Sequence, residues 1–344
     1  MKKIPVIIVI LLLSSGFSAA KWAGWRGNIF LETGYDSNPA ILSEEQMDEF
    51  DAGDPYYSIM DAIDDGYATI GGALQYRFRT GESRWEFGGD YRWTRYLYNE
   101  TASYHYLRPN AEFWRGRLRG EVHAVIVLGY ASSVYNDTDL PDEIPVWATY
   151  DAYRGGGEVR FEIIEDHWLG ADLEYGYSRY NDNFPEYDGA NLRAGVAWRW
   201  SGPVYIKLGY AYRVYDARAF DAEGESAENS DDTDISYAED RIESYLSRSI
   251  SLVKQDFLIG ASINLSQRFY TSEKDFIDDY IHLARRDLRA DFSPFLRWET
   301  SDKLEFTLSF DYTIRDSDSP YYNLDDSKDY DRYKIALKSE YFFR

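Results

Sequence analysis

Residues 304–315 read Leu-Glu-Phe-Thr-Leu-Ser-Phe-Asp-Tyr-Thr-Ile-Arg, an unbroken alternation of apolar and polar side chains. Leu304, Phe306, Leu308, Phe310, Tyr312 and Ile314 interleave with Glu305, Thr307, Ser309, Asp311, Thr313 and Arg315. A period of two places one set on each face of a β-strand. After a loop the pattern resumes: Tyr333, Ile335, Leu337, Tyr341 and Phe343 interleave with Lys334, Lys338 and Glu340. A soluble sheet also alternates, but its apolar face is usually Val, Ile and Leu, and its strands are shorter. Long strands banded with aromatics are what a lipid-facing barrel wall requires.

Working outward, the same rhythm predicts about fourteen strands, over 24–36, 67–79, 85–98, 104–114, 118–130, 150–162, 168–180, 189–200, 203–215, 241–253, 257–270, 284–298, 303–315 and 331–343. Short connections (near 80–84, 115–117, 164–167, 201–202, 254–256 and 299–302) alternate with long ones (37–66, 131–149, 181–188, 216–240, 271–283 and 316–330). One, 99–103, is shorter than its class. The pattern implies an all-β fold, a transmembrane antiparallel up-and-down β-barrel with short turns on one side and long loops on the other. An even count lets the first and last strands pair and removes the open edge. Strands 241–253 and 284–298 are the most irregular. Arg248 falls among Leu246, Ile250 and Leu252 on the lipid face, which predicts a bulge or a register error there. Pro109 and Pro294 lie inside strands, where each removes a ladder hydrogen bond.

The chain opens with Lys2-Lys3, an apolar run from Val6 to Leu13, and Ser18-Ala19-Ala20. This reads as a secretory signal peptide over 1–20, leaving 21–344 as one domain. There is no cysteine, so a lipid-anchored cysteine and disulfides are both excluded. No later segment nears the roughly 18 consecutive apolar residues of a membrane-spanning helix. A soluble periplasmic β-protein is the competing reading. The net charge of −23 concentrates in the gaps, at 44–54 and 221–240, as solvated acidic loops. Many tyrosines sit at strand ends, where an amphipathic ring suits the membrane interface.

The apolar register also defines the opposite face. It carries Arg77, Arg79, Glu86, Asp90, Arg92, Arg108, Glu112, Arg119, Glu121, Arg160, Arg193, Lys207, Arg213, Glu305 and Asp311, among others. Basic groups facing lipid at mid-depth cost roughly 2–4 kcal/mol each, so these residues are expected to line a wet lumen or to pair with one another. A barrel of this strand number is too wide for side chains alone to fill. Mixed charge across it either orders polar solutes or stiffens the wall through Arg–Glu pairs.

Catalysis is not expected. Of the four histidines, His123 lies on the inner face beside Glu121, His167 is in a turn, and His105 and His282 are near the rim. Asp278-Asp279 with His282 is a faint echo of outer-membrane proteases. The run Asp231-Asp232-Thr233-Asp234 suits weak surface binding of divalent ions and lacks the glycine spacing of an EF-hand. No cofactor, dedicated metal site or nucleic-acid surface is indicated.

Across the mature chain the pattern resembles the outer-membrane β-barrel proteins as a class. The last strand, ending in Tyr341 and Phe343 before Arg344, is similar to the signal read by the barrel assembly machinery, which the resemblance implies as a partner. Gly34-Tyr35-Asp36-Ser37-Asn38 resembles the opening of β-barrel porins and of the barrel domain of surface lipoprotein assembly modifiers. Those modifiers also carry a helical-repeat domain, which the strand pattern here gives no reason to expect. In this motif Asp and Asn are expected to bond their own backbone in a turn. The resulting expectation is a monomeric barrel in the outer membrane of a Gram-negative bacterium, surrounded by lipid, with both termini periplasmic. It would pass small polar solutes and favour cations because of its acidic loops. The alternatives are a surface-biogenesis or export barrel for lipoprotein or polysaccharide, and a structural or adhesion barrel plugged by its loops.

Overall fold

The computed structural model describes residues 23–136, 145–221, 224–227, 230, 232–252, 255–272, 274–277, 279–321 and 328–343. The expected leader, Asp231 and Asp278 lie outside them. Fourteen strands form one closed antiparallel barrel. They are β1 Ala23–Asp36, β2 Asp65–Thr80, β3 Ser83–Tyr96, β4 Tyr104–Arg115, β5 Leu118–Asn136, β6 Pro145–Ile164, β7 His167–Tyr180, β8 Gly189–Ser201, β9 Tyr205–Ala217, β10 Tyr237–Leu252, β11 Gln255–Tyr270, β12 Arg286–Ser301, β13 Leu304–Asp318 and β14 Tyr330–Phe343. Each pairs with its sequence neighbours, and β1 pairs with β14 from Gly27↔Phe343 to Asp36↔Lys334, closing the wall. No described helix is long and apolar enough to cross a membrane.

The alternation fixes which side faces out. Ile29, Ile70, Val122, Val159, Leu173 and Ile242 are each more than half exposed, while their sequence neighbours point to the other side of the wall. Outward aromatics gather at the short-turn end, where Phe78, Trp85 and Phe87 stack with ring centroids 5.9–6.5 Å apart. Trp298 packs there between Phe257 and Phe306 at 6.2 and 6.0 Å. A continuous exposed apolar belt with aromatic edges has hydrocarbon as its natural solvent. Gly81 and Gly116 make two of the short turns at φ +57° and +55°, a left-handed conformation open to glycine.

The predicted irregularities turn out differently. Arg248 does face outward, opposite Ile259, but β10 and β11 pair from Tyr237↔Tyr270 to Leu252↔Gln255 without a shift. No bulge is needed, because Arg248 lies near the short-turn end, within a long side chain's reach of the interface. Pro109 and Pro294 keep one ladder each, opposite Gly89 and Ala261. On their other sides pairing lapses, between Leu107↔Ile126 and Asn110↔His123 and between Phe292↔Tyr312 and Phe295↔Ser309, with the register retained.

The clearest departure is the β5–β6 hairpin, which runs to Asn136 and resumes at Pro145 where a loop over 131–149 was expected. Register shifts between Val127 and Tyr130 and between Ala131 and Ser133, with Gly129 at φ +72°, insert extra residues. These bulges break the two-residue period, so the alternation that reveals the other strands is lost.

The lipid-facing wall predicts a depth-dependent cost for charge. Leu173→Arg, at mid-strand, is expected to lower unfolding free energy in lipid vesicles by roughly 2–4 kcal/mol, and Leu252→Arg, at a strand end, by about 1 kcal/mol or less. Urea titration of vesicle-inserted protein measures both.

Candidate functional site

On the inner side of the short-turn half, acids and bases mesh into a belt. Arg77 pairs with Glu86, which Arg84 also reaches at 3.5 Å. Arg108 pairs with Glu121, and Glu121 meets Arg160 at 3.4 Å. Arg160 meets Glu158 at 2.7 Å, and Glu158 meets Arg199 at 2.5 Å. Arg193 joins Asp172 and lies 3.0 Å from Glu243, which also holds Lys207 at 2.9 Å and Arg241 at 3.7 Å. Arg92 meets Asp90 at 3.3 Å, and Arg297 meets Glu305 at 3.0 Å. Arg119 lies 3.9 Å over the Trp168 ring. Glu112 takes a 3.3 Å hydrogen bond from Asn110, Asp311 sits opposite Lys334, and Arg79 opposite Arg84. All the inner-face residues named from sequence thus lie opposite the aliphatic belt, and most are paired.

At the long-loop end the connections fold against one another. Ser43 and Gln46 form a capping box at the start of helix α1, Glu44–Asp51. Beyond it Leu42, Tyr57 and Met60 pack with Tyr67, Tyr96, Val134 and Trp147 in a buried apolar cluster. In the Gly34–Asn38 motif Asp36 bonds the motif's own backbone, whereas the Asn38 amide reaches four residues on, accepting from Leu42 N–H at 2.8 Å and donating to Leu42 O at 2.7 Å. Asp36, fully buried, accepts from Asn38 N–H at 3.3 Å and Tyr96 Oη at 2.7 Å, and pairs with Arg332 and Lys334 across the β1–β14 seam.

Between these loops and the belt lies a chamber of about 790 Å³. Its described lining includes eleven tyrosines: Tyr104, Tyr106, Tyr130, Tyr135, Tyr150, Tyr180, Tyr187, Tyr215, Tyr237, Tyr270 and Tyr330. They touch in arcs, with Tyr104–Tyr130–Tyr150–Tyr180 centroids 5.0–5.4 Å apart and Tyr215 stacked on Tyr237 at 5.4 Å. Seven basic side chains share the lining, Arg154, Arg213, Arg268, Arg285, Arg289, Arg315 and Lys328, against two acidic ones, Glu186 and Asp232. Of the inner-face residues named above, Arg213 is in the described lining of this chamber; Asp232, Thr233 and His282, singled out above for other reasons, line it too.

The tyrosines divide between the two faces. Tyr153, Tyr177, Tyr212 and Tyr333 are exposed on the outer face, as expected of an interface, whereas Tyr104, Tyr106, Tyr150, Tyr180, Tyr215, Tyr237 and Tyr270 line the chamber because they share parity with the polar inner-face residues of their own strands. That parity was the signal to read. Arg285 and Lys328 sit in connections, where no alternation marks them.

Behind the chamber wall, carboxylates are shared. Glu239 holds Arg268 at 3.2 Å and Arg213 at 3.9 Å, and Asp287 holds Arg315 at 2.6 Å and Arg285 at 2.8 Å. Two cations on one anion leave each cluster a residual positive charge. Burial pushes the Lys328 amine down to about 8, and the nearby Arg285 and Arg315 push the same way.

The histidines have structural partners. His105 Nδ1 lies 2.8 Å from the Tyr91 hydroxyl on the outer face, and His167 packs beside Trp198 and Trp200. His123 sits between Glu121 at 3.4 Å and Glu174 at 3.5 Å. His282 Nδ1 lies 2.8 Å from Asp279, whose buried carboxylate also takes hydrogen bonds from Ser272 Oγ and Asp234 N–H at 2.9 and 3.0 Å. Burial opposes ionisation of Asp279, but the His282 contact and these hydrogen bonds prevail and hold its carboxyl below the usual range; burial in turn lowers His282. The group ties loop 218–236 to loop 271–285. In the former loop the carboxylates of Asp221, Glu225 and Asp232 come within 4.8 Å of one another. Burial, with the charge of Asp221, raises Asp232.

The chain is a closed fourteen-stranded antiparallel β-barrel with an apolar outer wall. No protein-family model matches the sequence, and no curated protein does. Among solved structures it is similar to a bacterial polysaccharide outer membrane secretin at 9% identity, over 92% of this chain and 98% of that one, with TM-score 0.45. The outer membrane channel DcaP of Acinetobacter baumannii matches at 10% identity, over 93% and 97%, with TM-score 0.46. An anion-selective porin from Comamonas acidovorans matches at 8% identity, over 94% and 99%, with TM-score 0.43. Likeness this distant says nothing about what the barrel handles.

The Asp279 knot predicts an acid-sensitive cap. A carboxyl whose folded-state pKa is lowered stabilises the fold above its unfolded value near ~3.9, and that contribution is lost as pH falls through the lower folded value. Loops 218–236 and 271–285 of the barrel are therefore expected to stay protease-resistant at pH 5 and become cleavable below about pH 4. Asp279→Ala should make them cleavable at neutral pH, as limited proteolysis followed by mass spectrometry would read.

Proposed function

We propose that the barrel is a porin-like channel for passive passage of small polar solutes, without catalysis. The observation that carries this reading is the chamber of about 790 Å³, walled by polar and charged side chains inside a closed barrel. Inner-face residues such as Arg77, Glu86, Arg108, Glu121, Arg160 and Arg193 would form the wet lining below it, held in place by their mutual pairing. The protein would be exported by a leader over 1–20, inserted by the barrel assembly machinery, and act as a monomer in lipid.

Ion preference has two opposed sources. The acidic loops favour cations, as the net charge suggests. The chamber carries the basic excess described above. Exposed rim charges are screened over about 8 Å at physiological salt, and enclosed groups much less. On this reading the chamber selects, and cation enrichment is confined to the mouth. The plugged-barrel alternative draws support from the apolar cluster around Leu42 and Trp147 that caps one side of the interior.

Planar-bilayer recording separates these readings. Stable openings are expected, with a reversal potential under a salt gradient reporting anion preference. Silence from folded protein would favour the plug, and a cation-side reversal potential would return selection to the rim. Since Lys328 loses its charge as pH rises through about 8, the anion preference is expected to weaken between pH 7 and pH 9. Lys328→Met should remove that step.

A further inference from the structure

We infer that the chamber is a binding site for a small solute joining a carboxylate to a six-membered ring. The inference deepens the channel reading and rests on it for how the solute arrives. Its physical basis is the joint placement of two kinds of group on one wall.

The first kind is underused arginine. Glu239 serves both Arg213 and Arg268, and Asp287 serves both Arg285 and Arg315, so four guanidinium groups share two carboxylates. A guanidinium has five N–H donors, and one shared carboxylate cannot occupy them. Consistent with this, Nε of Arg213 and of Arg315 is buried without a hydrogen-bond partner among the described residues. A third carboxylate, brought by a solute to the parts of these guanidinium groups that border the chamber, would offset the residual charge.

The second kind is the tyrosine ring. Arg268 lies 3.9 Å over the Tyr237 ring, and Tyr237 stacks on Tyr215 with planes 18° apart. Arg285 lies 4.8 Å over Tyr270. Tyr237 is thus already faced by Arg268 and Tyr215, and what the carboxylate sites adjoin is tyrosine edges, which meet a solute ring by edge or CH contact, with phenolic hydroxyls beside them for ring substituents. A volume of about 790 Å³ falls within the range of roughly 300–1,000 Å³ typical of small-molecule sites. An inorganic anion would use the arginines and leave the tyrosine edges and hydroxyls idle; a neutral ring would do the reverse. The carboxylate-bearing ring engages both. It comes from two sources, a sugar acid or an aromatic acid.

Isothermal titration of the full-length barrel in detergent tests this with galacturonate, benzoate, galactose and chloride. At least one ring carboxylate is expected to bind about tenfold or more tighter than galactose and chloride. Galacturonate alone would identify the sugar-acid source, benzoate alone the aromatic one, and both the shared chemistry. The double variant R268Q/R315Q is expected to lose about tenfold or more. It leaves Glu239 with Arg213 and Asp287 with Arg285, so no carboxylate is orphaned. If that variant does not insert, R268K/R315K keeps the charge, loses the planar fork, and is expected to weaken binding likewise. Carboxylates binding no tighter than galactose, or unchanged binding by the variants, would overturn the inference. Absent binding with intact conductance removes the site and leaves the channel; binding without conductance removes the channel and leaves the site.

Discussion

Hydrocarbon offers no hydrogen-bond partner, so each backbone N–H and C=O within the membrane must find one inside the protein. For a sheet this demands closure, and everything else in the structure depends on the β1–β14 seam. The ladder from Gly27↔Phe343 to Asp36↔Lys334 joins the two ends of the chain. At its loop end the buried Asp36 carboxylate binds Arg332 and Lys334 on β14 and the Tyr96 hydroxyl on β3. A buried carboxylate is tolerated only with such compensation. The residue that completes the motif at the end of β1 is thus also the pin of the barrel's closure.

Closure at this strand number makes an interior too broad for simple side-chain packing, and the two halves solve the problem differently. Toward the short turns, Arg and Glu rows reach across strands and neutralise each other, as in the run Arg108–Glu121–Arg160–Glu158–Arg199. Toward the long loops, tyrosines replace acids around the wall and the remaining carboxylates are shared between pairs of arginines. The first arrangement stiffens a wall. The second leaves guanidinium groups and phenolic rings bordering the chamber, and there the barrel has something to offer a solute.

Much of this was legible because the constraint is local. Ile29, Val159, Leu173 and Leu308 had to alternate with polar neighbours whatever they paired with, so strand number and facing followed from a period of two. Bulges hide strands from that reasoning, as Gly129 did for the far end of β5. Arg248 misled in the opposite direction: it broke the hydrophobic pattern without breaking the ladder, because a long side chain near the interface reaches water. Tyrosine was read correctly on the outer face and missed on the inner one. Its ring suits both a lipid interface and a wet interior, so composition at strand ends could not choose between them, although parity could.

The sequence by itself determined the closed antiparallel wall, its apolar outside and its charged inside, because those are properties of each strand taken alone in contact with lipid. Tertiary structure alone decided which charges meet. Glu239 with Arg213 and Arg268, Asp287 with Arg285 and Arg315, and the loop residues Asp279, His282 and Lys328 gather from segments far apart in the chain. Their encounter depends on strand register and loop packing, three-dimensional quantities that no local pattern encodes.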